Sequence, residues 1–332
     1  MNSSGRDIHP EPIVLSTIFL SHFFFSQLAS RPSVPATPDH WQQNRQNVII
    51  STPGCHHPIG EESMRSTCCR IVASLLLCGA DVAIAAEPDT VARDAHRTRM
   101  KQVAESIQIA DAESRTPVPL AAEPLLLYTD ATRATFESGL WIFGGGGRPA
   151  AIVATEFYPD HPKGPTWLYE IASVSDRRIS AKRGTGLDWS ARTPGLSLRE
   201  LPDAGVPAER PARRLSQMKQ LLRRFTARES AVIEGEIELR PLSNALYHYE
   251  DSNSQLIDGA IFAFANGTNP EVFVLLEAHA ANGGPSVWKY ALVQMTGGAV
   301  SVSLDGTKVW DCEPADPPAA RDSYVNGWLA PE

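Results

Sequence analysis

The chain has 332 residues, of which 42% are hydrophobic and 20% charged, with a formal net charge of -8 at pH 7. That length allows about two domains with ample material for a core. The mild acidity offers no basic footprint for nucleic acid and no cationic face for coating a membrane.

In chain order, residues 1–63 are rich in Ser, Pro, His and Gln and read as a spurious extension or a disordered segment ahead of a start at Met64. Residues 64–86 read as a secretory signal peptide: Arg65 and Arg70 supply a positive end, 71–77 begin an apolar run, and Ala83-Ile84-Ala85 is a small-residue cleavage motif. The competing candidate, 13–29, is apolar, but Asp7 and Glu11 precede it where basic residues belong and His22 interrupts it. The expected location is therefore periplasmic or extracellular. Cys55, Cys68, Cys69 and Cys78 precede the cleavage site, so the mature chain keeps only Cys312 and has no intrachain disulfide to lean on.

The mature chain divides into 87–205, 206–312 and a tail at 313–332. Shifting the sequence by 121 positions brings Tyr128, Asp130, Phe143, Gly146, Pro149, Val153, Glu156, Trp167, Tyr169, Ser180 and Trp189 onto identical residues in 249–310. Such self-similarity marks an internal repeat. Ahead of each block lies a helical pattern: Val91, Ala95, Met100, Val103 and Ile107 within 89–113, then Leu215, Met218, Leu221, Leu222 and Phe225, with Arg213, Arg214, Lys219, Arg223 and Arg224 on other faces. Residues 232–240 alternate as a strand. Runs at 260–265, 271–278, 287–295 and 300–304 follow, and the last strand ends near Trp310. Their joints carry turn residues (Asn266-Gly267, Asp305-Gly306), and such short joints make neighbours antiparallel. The expected fold is α+β: two tandem repeats, each a helix followed by an antiparallel β-meander, similar by analogy to cystatin-like and nuclear-transport-factor-2-like architectures.

Glu156 and Glu277 are the candidate catalytic residues. Each sits in an apolar strand, IVATEF and FVLLEA, on the face of Ile152 and Ala154 or of Phe273 and Leu275. A carboxylate among apolar neighbours has a raised pKa and suits general acid or base work, and two brought together would resemble a glycosidase pair. The alternative is a strand-end carboxylate in water, or bonded to a local tyrosine or backbone group. Trp167, Tyr169, Trp288 and Tyr290 are the candidate ligand-binding residues if exposed as a stacking stripe, and a core layer under the helices if not. The run 144–147 joins two strands with no Lys-Ser/Thr or helix after it, so it is a hairpin and not a phosphate loop. No metal spacing, hydrolase elbow or dinucleotide fingerprint occurs, so neither metal nor cofactor is expected.

Residues 258–278 (DGAIFAFANGTNPEVFVLLEA), with QMKQLLRRF before them and SYVNGWL after, resemble exported proteins of planctomycete bacteria with no assigned function. The resemblance covers nearly all of 90–331, implies export, and supplies no catalytic residues. The functional expectation is an exported, non-catalytic protein that binds a small molecule or an envelope protein, with no nucleic acid partner and no membrane span. The rivals are an envelope hydrolase using Glu156 and Glu277, and a structural envelope component.

Overall fold

The computed structural model describes residues 88–130, 133, 135–231, 235–251, 255–281, 283–315 and 317–329. All of them belong to the second of the chain's two compact units, Val82–Glu332. The extension, the leader and the four N-terminal cysteines lie outside the described residues.

The elements in order are α1 (Pro88–Ser106), β1 (Gln108–Asp111), β2 (Pro117–Val118), β3 (Leu126–Tyr128), β4 (Ser138–Phe143), β5 (Ala151–Tyr158), β6 (Thr166–Ser173), β7 (Ile179–Arg183), β8 (Leu187–Ser190) and β9 (Arg199–Glu200). Then come α2 (Pro211–Leu222), β10 (Phe225–Ala231), β11 (Gly235–Pro241), β12 (Tyr247–Tyr249), β13 (Leu256–Asn266), β14 (Asn269–Ala281), β15 (Gly284–Gln294), β16 (Ala299–Leu304), β17 (Thr307–Cys312), β18 (Ala319–Ala320) and β19 (Tyr324–Trp328).

This corrects the α+β expectation. With only two helices among the described residues, the fold is mostly β, and the strands after each helix do not form one meander. They divide among a four-stranded sheet (β2-β1-β7-β8), a six-stranded sheet (β18-β19-β6-β5-β4-β3) and a nine-stranded sheet (β17-β16-β10-β11-β13-β14-β15-β9, with β12 on β13). Every pairing among the described strands is antiparallel, as the short joints require. The error lies between β6 and β7, where the chain leaves one sheet and returns to pair with β1 in another. What the two blocks share is therefore a strand order, β2-β1-β7-β8 and β11-β10-β16-β17, rather than a helix followed by a meander. Two further pairings come from outside the blocks. Strand β19 of the tail pairs with β6, and β9 of the connector pairs with β15.

Alternation along the strands explains the layers. On β4, Leu140 and Ile142 point to one side and Trp141 and Phe143 to the other; on β14, Phe273 and Leu275 oppose Val272, Val274 and Leu276. Ile142, Ile152, Ala154, Ile261, Ala263, Phe273 and Leu275 meet in a central core between the six-stranded sheet and the β12–β15 part of the larger one. The outer sides are covered by Met100 and Val103 of α1 and by Met218, Leu221 and Leu222 of α2. Both sheets are thus buried on both faces, which is why β5 and β14 read as continuous apolar runs.

Helix α2 starts with Pro211 at its first turn, where a missing N–H costs nothing, and ends before Phe225, which opens β10 instead of closing the helical stripe. Arg214, expected on an outer face, turns inward and its Nε donates to Asp258 Oδ2 at 2.6 Å. The β16–β17 turn is a two-residue hairpin in which Asp305 (φ 50°) and Gly306 (φ 79°) both take positive φ, as the Asp-Gly pair foretells.

Phe273 is fully buried in the central core, so Phe273→Ala should lower unfolding free energy by about 3–5 kcal/mol. Phe136, 49% exposed, should lose well under that on the same change. Urea unfolding of both variants checks the contrast.

Candidate functional site

The double burial takes the carboxylates of the central layer out of bulk water, and they collect into two polar clusters. Glu156 and Glu277 head one each. Tyr128 Oη donates to Glu156 Oε1 at 2.9 Å and Tyr158 Oη to Oε2 at 2.8 Å. At the matched place, Tyr249 Oη donates to Glu277 Oε1 at 2.7 Å and His279 Nε2 lies 2.7 Å from Oε2. The two carboxylates hang from equivalent strand positions with equivalent tyrosines.

Their charge partners differ. Arg148, from the β4–β5 joint, grips Glu277 with two parallel bonds, Nε to Oε1 at 2.7 Å and Nη2 to Oε2 at 2.8 Å. Burial alone would raise the Glu277 pKa, but the His279 and Arg148 hydrogen bonds outweigh it and pull it down to about 2. An acid held ionised with both oxygens engaged has no proton to give. The two glutamates have no hydrogen-bond partner in common. Glu277 instead reads as an ionic clasp between the blocks.

Glu156 lies in a different setting. The β5–β6 register pairs it with Leu168 and sets Ala154 against Glu170, placing Glu170 diagonally beside it on the same face. Tyr324 of β19 hydrogen-bonds Glu170, and Asn326 Nδ2 donates to Tyr324 Oη at 3.2 Å. Two more buried acids, Glu229 of β10 and Glu271 of β14, approach from the nine-stranded sheet. A single cation meets them: Arg133 donates to Glu271 Oε1 at 2.5 Å, Glu229 Oε1 at 2.6 Å and Asp130 Oδ2 at 3.1 Å. Thr296 Oγ1 adds a 3.0 Å bond to Glu229 Oε1. Glu229 Oε2 and Glu271 Oε2 remain buried without a hydrogen-bond partner among the described residues.

One guanidinium among this many carboxylates leaves the cluster short of positive charge, and the pKa directions follow. Burial raises Glu156 against the opposing charge of Arg133 and the hydrogen bonds of Tyr158 and Tyr128. Burial and the charge of Glu156 put Glu170 well above the usual carboxylate range. Burial lifts Glu271 to about 8 despite Arg133. Arg133 itself is held protonated, because Glu271 and Glu229 overcome its own burial.

Arg133, Glu156, Glu170 and Glu229 line a cavity of about 330 Å³ that also takes in Tyr158, Leu168, the Thr296-Gly297-Gly298 turn and Trp328. The turn needs glycine: a Cβ on Gly298 would sit 2.4 Å from Glu229 Oε1. Tyr158 and Trp328 meet edge to face with centroids 5.0 Å apart. A cavity with convergent polar groups and shifted pKa values is where a ligand or substrate is first sought. No protein family, curated protein or solved structure matches the chain. The geometry therefore carries the functional argument alone.

Trp167, Tyr169, Trp288 and Tyr290 do not form an open stripe. They are at most 5% exposed and pack in the cores beneath α1 and α2. Trp167 stacks on His96 of α1 (5.2 Å, 18°) and Tyr290 meets Phe225 edge to face at 5.2 Å. Burial pushes the Cys312 thiol up to about 11, which suits no nucleophile. Among the described residues, no group of three or more His, Cys, Asp or Glu could hold a metal ion, and no helix is long and apolar enough to cross a membrane.

Arg133, Glu170, Glu229 and Glu271 were not singled out in the sequence. The 121-residue match points away from them, since Glu170 falls opposite Ala291, Glu271 opposite Ala150 and Arg133 opposite Ser254. The available signal was a charge inside a strand buried on both faces, as in WLYEIAS.

Arg148→Met should cost about 3–5 kcal/mol at pH 7, because it strands the buried Glu277 charge; urea unfolding reads the loss. The two shifted acids have opposite pH signatures. Glu277, depressed from 4.5 to about 2, contributes stability that is present above 4.5 and lost as pH falls towards 2. Glu271, raised from 4.5 to about 8, binds its proton more tightly when folded, so its contribution is fullest below 4.5 and fades as pH rises through 8. The protein should be more stable at pH 6 than at pH 8, and Glu271→Gln should shrink that difference.

Proposed function

We propose that this chain is an exported binding protein that holds a small molecule in the cavity walled by Glu170, Glu229 and Trp328. The observation that carries the reading is the combination of a cavity, an aromatic wall and one buried acceptor without a partner, Glu229 Oε2, all in one place. At about 330 Å³ the cavity falls at the small end of the range for ligand sites, which excludes a folded partner as its occupant. Export rests on the basic, apolar and small-residue succession at 64–86. Glu277, saturated by Arg148, Tyr249 and His279, takes the structural part.

A second reading has one observation in its favour. Glu156 and Glu170 are neighbours on one face, and both are held above the usual carboxylate range. A hydrolase would use that pair, and Glu170→Gln would then abolish turnover of a glycoside or ester without abolishing binding.

The test is a thermal-shift screen of the full chain against amines, sugars, polyols and small carboxylates, with Trp fluorescence in parallel. A ligand at a hundred times its Kd should add about 2.7 kcal/mol of stability, and Trp328→Ala should remove the effect. A screen in which nothing shifts the midpoint, or in which every shift survives Trp328→Ala, would falsify the proposal.

A further inference from the structure

The cavity's donors and acceptors are unbalanced, and the imbalance says which ligand chemistry fits. Among the described residues Arg133 is the one cationic side chain on its wall, and its guanidinium faces Asp130, Glu229 and Glu271. Its positive charge is thus turned to the protein's own acids, which disfavours a carboxylate or phosphate there. Acceptors, by contrast, are in excess. Glu156, Glu170 and Glu229 all line the space, and each is at most 5% exposed. Glu229 is the one with an unanswered oxygen, its Oε2 having no hydrogen bond among the described residues. A buried carboxylate oxygen in that condition costs free energy until a donor reaches it. Beside Glu156 and Glu170, in the same cross-strand row as Glu156, stand the apolar Leu168 and Trp328, the latter packed edge to face on Tyr158. An aromatic face beside carboxylates is the setting in which an organic cation gains both cation–π attraction and charge-assisted hydrogen bonds.

We propose that the cavity takes a small organic ammonium ion, its N–H donors set against Glu170 and Glu229 and its carbon skeleton against Trp328 and Leu168. This rests on the small-molecule reading above and narrows it to one ligand class.

Binding of such an ion is linked to a proton. Glu170 faces Glu156 on β5, Glu271 on β14, Glu229 on β10, Tyr324 on β19 and the Arg133 guanidinium, and its surroundings favour the neutral acid. A carboxylate meets the ammonium charge far better than a neutral carboxyl, which accepts an N–H without an opposing charge. The incoming positive charge therefore replaces the proton, and that proton leaves for solvent. The burial that disfavours the Glu170 carboxylate is offset by the ammonium charge placed beside it. Affinity must then rise with pH across the range in which Glu170 holds its proton, since the form that binds is the deprotonated one.

The experiment is isothermal titration calorimetry on the full chain with 2-phenylethylamine, n-butylamine and tetramethylammonium, and with 2-phenylethanol as neutral isostere and phenylacetate as anionic one. Each titration is run in phosphate and in MOPS, which carries no primary ammonium, at pH 7. The expected result is that primary amines bind at least about tenfold more tightly than the alcohol, and that phenylacetate does not bind. The observed heat should differ between the two buffers by an amount that reports a released proton. Between pH 6 and pH 8 amine affinity should strengthen. Glu170→Gln should erase the buffer dependence and weaken the amine by about tenfold or more. Should that variant fold poorly, Trp328→Phe keeps a ring in place, and Trp328→Leu should weaken the amines without touching the proton count.

Binding of the alcohol or of phenylacetate as tightly as the amine, with loss in Trp328→Ala, would overturn the ammonium assignment and leave the small-molecule reading standing. Amine binding with equal heat in both buffers would overturn the proton exchange. If none of the five probes binds while a sugar or polyol does so in the wider screen, the ligand class is wrong. If that screen is also silent, both proposals fall.

Discussion

Ile142, Ile152, Phe273 and Leu275 meet between two sheets whose outer sides are already covered by α1 and α2. Everything else about the molecule follows from this central layer having no solvent behind it on either side. Apolar side chains there need only fit. Any polar or charged group on the inward faces of β5, β6 or β14 must find its hydrogen bonds and counter-charge inside the protein, because the cost of leaving a buried charge unpaired is several kcal/mol. The two tyrosine–glutamate pairs are the simplest answer to that demand. Tyr128 and Tyr249 come from the short strands β3 and β12, and each caps a carboxylate that strand alternation has turned inward. Gly259 shows how closely this is built: a Cβ there would lie 2.6 Å from the Tyr249 ring.

From that common starting point the two clusters part. Glu277 has Arg148 with two parallel hydrogen bonds and becomes a fixed ion pair. Around Glu156 the chain adds Glu170, Glu229 and Glu271, and sets Arg133 alone against all of them and Asp130. An ion-pair network that balanced would be an anchor. One that does not balance stores unsatisfied acceptors and held protons, and it does so beside a cavity and an aromatic wall. The difference between the clusters lies in which arginine each can reach and how many acids it must serve.

Much of the local structure was legible in the sequence. The 3.6-residue pattern locates both helices, although it carries the first on to 113 where the chain has already entered β1 at Gln108, and the Asn-Gly and Asp-Gly joints and the apolar runs locate β13 to β17 within a few residues. The inward faces of Glu156 and Glu277 also follow from alternation. What could not be read is pairing across the sheets. Nothing in residues 174–178 announces that the chain changes sheet, and nothing in the tail announces that Tyr324–Trp328 becomes a strand on β6. Phe225 fits a helical stripe and a strand start equally well, and only its pairing with Leu304 decides between them. The site was missed for a related reason. Matched residues draw attention in a chain compared with itself, and Arg133, Glu170 and Glu271 have no match. Their shared feature, charge at positions where both sheet faces are buried, becomes visible only when the layers are known.

The most direct measurement is a carbon-13 NMR titration of the glutamate side-chain carboxyls in the full chain, assigned by Glu→Gln variants. The imbalance predicts Glu277 still ionised down to about pH 2, Glu271 titrating near 8, and Glu170 taking its proton well above the usual carboxylate range. If all three titrate near the ordinary value of 4.5, the buried acids around Arg133 are neither short of positive charge nor different from the Glu277 clasp.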